Sequence, residues 1–222
     1  MSHLKYASTP QTTNLARTSR LILGPCADMM REVLLNEVPT TDLSRRVEKW
    51  LKSAKKNPLH ISQTDLIFPP PSSIYGGNYS DMDISLLYIL LRNVTKLPAH
   101  SQGWGNDPDT TDRSVSANME RIRFIRNKHY GHAVEIGIPD ADYQNEFMNI
   151  RKIAEDVDIY FGGTKYQKSV DFIKTDTMDA EQEMKWIKQL AIFESVVSNV
   201  EENTKEIQKL KHKIENTGFE KL

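Results

Sequence analysis

Arg126, Asn127 and His132 fall within one short segment, Arg126-Asn127-Lys128-His129-Tyr130-Gly131-His132. Together these side chains suit phosphodiester chemistry. Histidine, with a free pKa of about 6.5, takes or gives a proton at neutral pH. Arginine holds a phosphate bidentately and stabilises charge that develops in a transition state. Asparagine orients the pair or contacts the substrate. Six residues separate Arg126 from His132, about 600° on an unbroken helix, which puts them on different faces. Gly131 alters this, because a helix that stops there lets His132 fold back toward Arg126 and Asn127.

The element that must carry them is a helix from about Thr111–Ser114 to Tyr130. Its inward stripe reads Val115, Met119, Ile122, Arg126 and His129, so an apolar run turns polar in its last turns. Burying an unpaired guanidinium is costly, so Arg126 needs either a partner or a cleft. Between Arg113 and His132, five cations (Arg113, Arg121, Arg123, Arg126 and Lys128) face one acid, Glu120. That is a local footprint for a polyanion. Arg121, Arg123, Lys128 and His129 are the RNA-contacting candidates. A solvated helix face is the alternative for the first three, and a satisfied, partly buried histidine for the fourth. His129, His132 and Glu135 lack the spacing of a zinc-binding helix, and no metal site or cofactor is expected. Gly163-Thr164-Lys165 lacks the upstream glycine of a phosphate loop.

Further out, helical periodicity dominates. A first pattern runs from about Asn14 to Val38, with Gly24-Pro25 placed to kink or break it. A second runs from Thr41-Asp42 through Trp50 to Ala54. Pro58–Tyr79 reads mostly as loop. Ser80-Asp81 is placed to cap a helix from Met82 to Val94, apolar on several sides and therefore central. Another spans Asp140 to Phe161, stopped by Gly162-Gly163. From Asp179 to Asn216 one long helix carries a seam beginning Trp186, Leu190, Phe193 and Val197, which fits a coiled coil; a packed helix lapping the domain is the alternative. The expected organisation is an N-terminal tail (1–13), a helical domain (14–175), the C-terminal helix (179–216) and a tail (217–222). No strand is expected beyond a short β-like run at Val134–Ile138.

Composition narrows the function. A net charge of -1 excludes a wholesale basic nucleic-acid binder. The single cysteine, Cys26, excludes an internal disulfide and a cysteine-rich zinc site. Cys26 is expected to be a buried structural thiol. With no signal sequence and no membrane span expected, the reading is a cytoplasmic protein.

The segments D-I-S-L-L-Y-I-L-L-R-N-V (Asp83–Val94), G-W-G-N-D-P (Gly103–Pro108), T-D (Thr111-Asp112) and E-R-I-R-F-I-R-N-K-H-Y-G-H (Glu120–His132) follow in this order. Together they resemble the HEPN superfamily, in the animal branch named after the DAZ-interacting zinc-finger ubiquitin ligase. The resemblance covers roughly residues 14–175. It implies an all-helical bundle that dimerises around its motif helices. It further implies that Arg126, Asn127 and His132 are the catalytic set of a metal-independent endoribonuclease, in which the 2'-hydroxyl of RNA attacks its own phosphate. The ligase's RING domain is not implied, since one cysteine cannot build it. Two functions stay open: an RNA- or nucleotide-associated module with an assembly role and ribonuclease chemistry, or a non-catalytic dimerisation or adaptor domain of a larger signalling or defence protein. Both predict a homodimer, with further protein partners on the C-terminal coiled coil and no membrane contact.

Overall fold

The computed structural model describes residues 9–54, 58–68, 79–130, 137–189 and 192. Among them it is all-helical, as the periodicity predicts. The helices are α1 (Pro10–Leu21), α2 (Ala27–Glu37), α3 (Thr40–Ser53), α4 (Ile61–Ile67), α5 (Ile84–Val94), α6 (Val115–Tyr130), α7 (Asp140–Phe161) and α8 (Lys165–Thr175). Residues 180–189 are also helical.

α1 starts four residues before Asn14, because Thr9 accepts from the Thr12 amide and Pro10 occupies the first turn. Residues 10–13 thus belong to the first helix and not to a tail. Gly24-Pro25 does not break the chain's course. A π-helical stretch, Ile22–Cys26, carries it from α1 into α2 and absorbs the proline without a free end. α5 starts two residues later than Ser80-Asp81 suggests. Asp83 accepts from the Leu86 amide at 2.7 Å, so Met82 precedes the helix, although it is fully buried. α4 lies within the stretch read as loop, and α8 follows Gly163-Thr164 where no helix is expected from local signals.

Two helices organise the core. α5 is buried at Ile84, Leu86, Leu87, Tyr88, Leu90, Leu91 and Val94, and it packs against α2, α3 and α6. α7 packs against α1, α6 and α8. Met29, Met30, Leu34, Met119 and Phe147 are buried in the same core cluster. Burying such side chains stabilises by about 1.5–3 kcal/mol each. Gly162 ends α7 in the left-handed region at φ 73°, where a side chain would be strained. The chain then turns back so that the buried carboxylate of Asp158 accepts from the amides of Tyr166 and Gln167, at 2.9 and 2.8 Å. α7 thereby caps α8. Asp158→Ala is expected to cost about 1–2 kcal/mol, the upper range of a cap substitution. Chemical denaturation checks this, and an unchanged midpoint would remove the capping role.

The start of the C-terminal helix laps the bundle. Thr13 donates to the buried Glu183 at 2.6 Å, and Ile187 packs against the core. Apart from Trp186, the seam positions lie outside the described residues. No helix among the described residues is long and apolar enough to cross a membrane.

Candidate functional site

The stripe read along α6 is the buried one. Met119 and Ile122 are sealed in the core, and Arg126 and His129 continue the same face at 8% and 5% exposure. Arg126 is therefore held within the fold. One Nη donates to Ser85 Oγ on α5, and the other donates to Asn127 Oδ1 at 2.9 Å. Asn127 is itself exposed, so the pair stands where the buried seam of α5 and α6 meets solvent. The structure thus brings Arg126 and Asn127 together. His132 lies outside the described residues, as does Glu135.

The next two residues converge on α7. Lys128 Nζ and His129 Nε2 lie 2.9 and 3.0 Å from the same oxygen of Glu146, which is 3% exposed. Burial raises the Glu146 carboxyl, but the bonds from His129 and Lys128 outweigh it and hold the group below the usual carboxylate range. An ionised Glu146 requires Nε2 of His129 to carry the proton. Below this pair Cys26 is fully buried, and its thiol is pushed up by burial and by Glu146, which disfavours a nucleophilic role.

The sign of the pH dependence follows from the depressed Glu146. Its contribution to stability is full above the unfolded value of about 4.3 and is lost as pH falls through the lower folded value. The Tm difference between wild type and Glu146→Gln is expected to close as pH falls below about 5. A gap that stays constant down to about pH 3 would show that Glu146 is not the group responsible.

Arg121 and Arg123 also have partners inside the domain. Arg121 donates to Asn118 Oδ1 at 2.9 Å and to the Asp109 carbonyl at 2.7 Å. Arg123 donates to Glu120 Oε1 and to the Gly105 carbonyl, with its guanidinium over the rings of Tyr88 and Phe124. Arg113 pairs with Asp156 on α7, which also accepts from Asn118 at 2.9 Å. The basic count along α6 therefore does not form an open cationic face. Each RNA-contacting candidate, Arg121, Arg123, Lys128 and His129, has an intramolecular partner.

Glu120, the one acid of this stretch, is the hub of a buried network. It is fully buried and accepts from Tyr88 Oη at 2.7 Å and from the Gly105 amide at 2.9 Å, besides Arg123. Burial first, and then the bond to Glu120, pushes the Tyr88 hydroxyl up to about 12. Gly105 reaches Glu120 from a backbone at φ 94°, which only glycine adopts without strain. His100 is also buried here, with Nε2 3.8 Å from Glu120 Oε2. Ser85 and Glu146, which hold Arg126 and His129, are the partners that the motif segment does not reveal. Their signal is a polar residue on an apolar stripe, as with Glu146 between Tyr143 and Ile150.

Neither a curated protein nor a solved structure matches the chain. A family model described as DZIP3/hRUL138-like HEPN matches residues 35–186, more than half of the sequence. That span contains α3 through α8 and every partner of Arg126 and His129 described above. On that match the chain belongs to the DZIP3/hRUL138-like HEPN family.

Proposed function

We propose that this chain is an RNA- or nucleotide-associated HEPN module with an assembly role, and that Arg126, Asn127 and His132 form its phosphate-handling site. The observation that supports this is the tethering of Arg126 by Ser85 and Asn127 at the solvent end of the α5–α6 seam. A guanidinium fixed before its ligand arrives loses little freedom on binding. Its chemistry is metal-independent cleavage of RNA. His132 takes the proton of the 2'-hydroxyl, whose oxygen attacks the adjacent phosphorus. The bond to the 5'-oxygen breaks, that oxygen is protonated, and Arg126 stabilises the charge on the phosphoryl oxygens. Incubating single-stranded RNA with wild type and with His132→Ala, each with and without a chelator, tests it. Intact RNA after incubation with folded wild type would end the enzyme reading.

A second reading has its own support. Arg121, Arg123, Lys128 and His129 all serve contacts within the domain. This favours a non-catalytic dimerisation or adaptor domain acting in the cytoplasm, with a coiled coil after Trp186 gathering partners. Both readings include self-association. Leu190→Lys with Val197→Lys is expected to weaken it at least tenfold (about 1.4 kcal/mol or more), since each places a charge in an apolar seam. Sedimentation of wild type and variant measures the change, and a wild type that is monomeric at about tens of micromolar would refute self-association.

A further inference from the structure

We propose that the groove between α3 and the end of α5 is a second binding site, separate from the α6 motif, for single-stranded RNA. The choice of polymer rests on the function proposed above; the site itself rests on other residues. The groove encloses about 580 Å³ and is lined by Arg45, Arg46, Lys49, Lys96 and Trp50, with no acid among its lining residues.

The cations here differ from those of α6 in how they are used. Arg45 and Arg46 lean on Asp42, at 3.0 and 3.9 Å. Arg46 also donates to the Val94 carbonyl at 3.5 Å, so the C-terminus of α5 accounts for its position. Lys49 and Lys96 are exposed and have no ion pair among the described residues. Among the described residues, no ion pair explains why two ammonium groups face one groove beside two arginines. Like charges held together repel, and a polyanion relieves that repulsion while releasing its own counterions.

Trp50 selects the kind of polyanion. It is half-buried, packed against the core on one side, and lines the groove with the rest of its surface. An indole among phosphate-binding cations is the arrangement on which an unpaired base stacks, whatever its identity. An acidic peptide would engage that ring only where an apolar side chain sits between its carboxylates, whereas every base of a single strand has a face to stack on it. A duplex keeps its bases stacked on each other, so a single strand is the better fit.

The test uses a fluorescein-labelled 2'-O-methyl oligouridylate, which lacks the attacking hydroxyl and so reports binding alone. Its anisotropy is followed with the full chain at several salt concentrations. Lys49→Glu with Lys96→Glu is expected to weaken binding at least tenfold. It should also reduce the salt slope by about 1.4, the loss of two contacts at about 0.7 each on a single strand. The same fold-change is expected in an Arg126→Ala background, because the two sites share no partner. Trp50→Phe should keep most of the affinity and remove the tryptophan quenching that accompanies binding. Circular dichroism confirms that the exposed lysines were replaced without unfolding.

The proposal is overturned if wild type does not bind the oligonucleotide, or if the double variant binds as wild type does. It is also overturned if polyglutamate or phosphatidylserine vesicles displace the oligonucleotide as well as unlabelled RNA does. Weakening by Arg126→Ala but not by the lysine pair would remove the groove and leave the motif reading standing. Weakening by the lysine pair, with cleavage unaffected by Arg126→Ala and His132→Ala, would do the reverse.

Discussion

His132→Ala is expected to slow cleavage of single-stranded RNA by about 10²–10⁴-fold, the usual worth of a positioned proton-transfer group. The loss should fall on kcat, because a group that acts on the 2'-hydroxyl proton works mainly in the transition state. Arg126→Ala should cost a comparable about 10²–10³-fold by removing charge stabilisation. It carries a second effect that His132→Ala need not share. Ser85 and Asn127 lose the guanidinium they hold, so its melting temperature must be measured beside its rate. Arg126→Lys separates the effects, since an ammonium keeps the charge and loses the fork that spans two partners. Cleavage that survives His132→Ala unchanged would mean the motif is misassigned, and sensitivity to a chelator would contradict the metal-independent mechanism.

Glu120→Ala should cost about 3–5 kcal/mol of stability, as much as truncating a large core side chain. The carboxylate is fully buried and joins α5, α6 and the loop at Gly105. Its removal leaves the Tyr88 hydroxyl and the Gly105 amide without their acceptor, at about 1–3 kcal/mol each. Arg123 loses its carboxylate partner but is partly exposed, which softens that part of the loss. Glu120→Gln keeps one acceptor oxygen and should fall between wild type and alanine. Denaturant unfolding monitored by circular dichroism gives the order directly. A loss below about 1 kcal/mol for the alanine variant would mean that water replaces the carboxylate at little cost.

The parts of this fold legible from sequence are those set by neighbours along the chain. α7 could be bounded because Asp140 follows Pro139 and a left-handed Gly162 follows Phe161. α5 could be read as central because apolar residues cover several of its sides. α8 was missed although Tyr166, Val170 and Ile173 have helical spacing. Glycines precede it, and its cap comes from Asp158 in another helix. α4 was hidden by the prolines and glycines that follow it. The site divides in the same way. That Arg126 and His129 face inward follows from periodicity. That α6 is not an open basic face does not, because the acids answering Arg113 and Lys128 are Asp156 and Glu146, far along the chain on α7. A local charge count cannot register a neutralising group supplied by another helix.

The π-helical stretch between α1 and α2 lies between two apolar faces. On one side, Leu15 and Leu21 point into the core; on the other, Met29, Met30, Val33 and Leu34 do. A π turn holds one residue more than an α turn, so removing one residue from Ile22–Cys26 narrows that turn toward α geometry and leaves the phase of α2 largely in place. The same deletion inside α1 or α2 would rotate one apolar face against the other by about 100°. The stretch is a reserve of chain length between two fixed apolar faces, and a change of length is better absorbed there than within either helix.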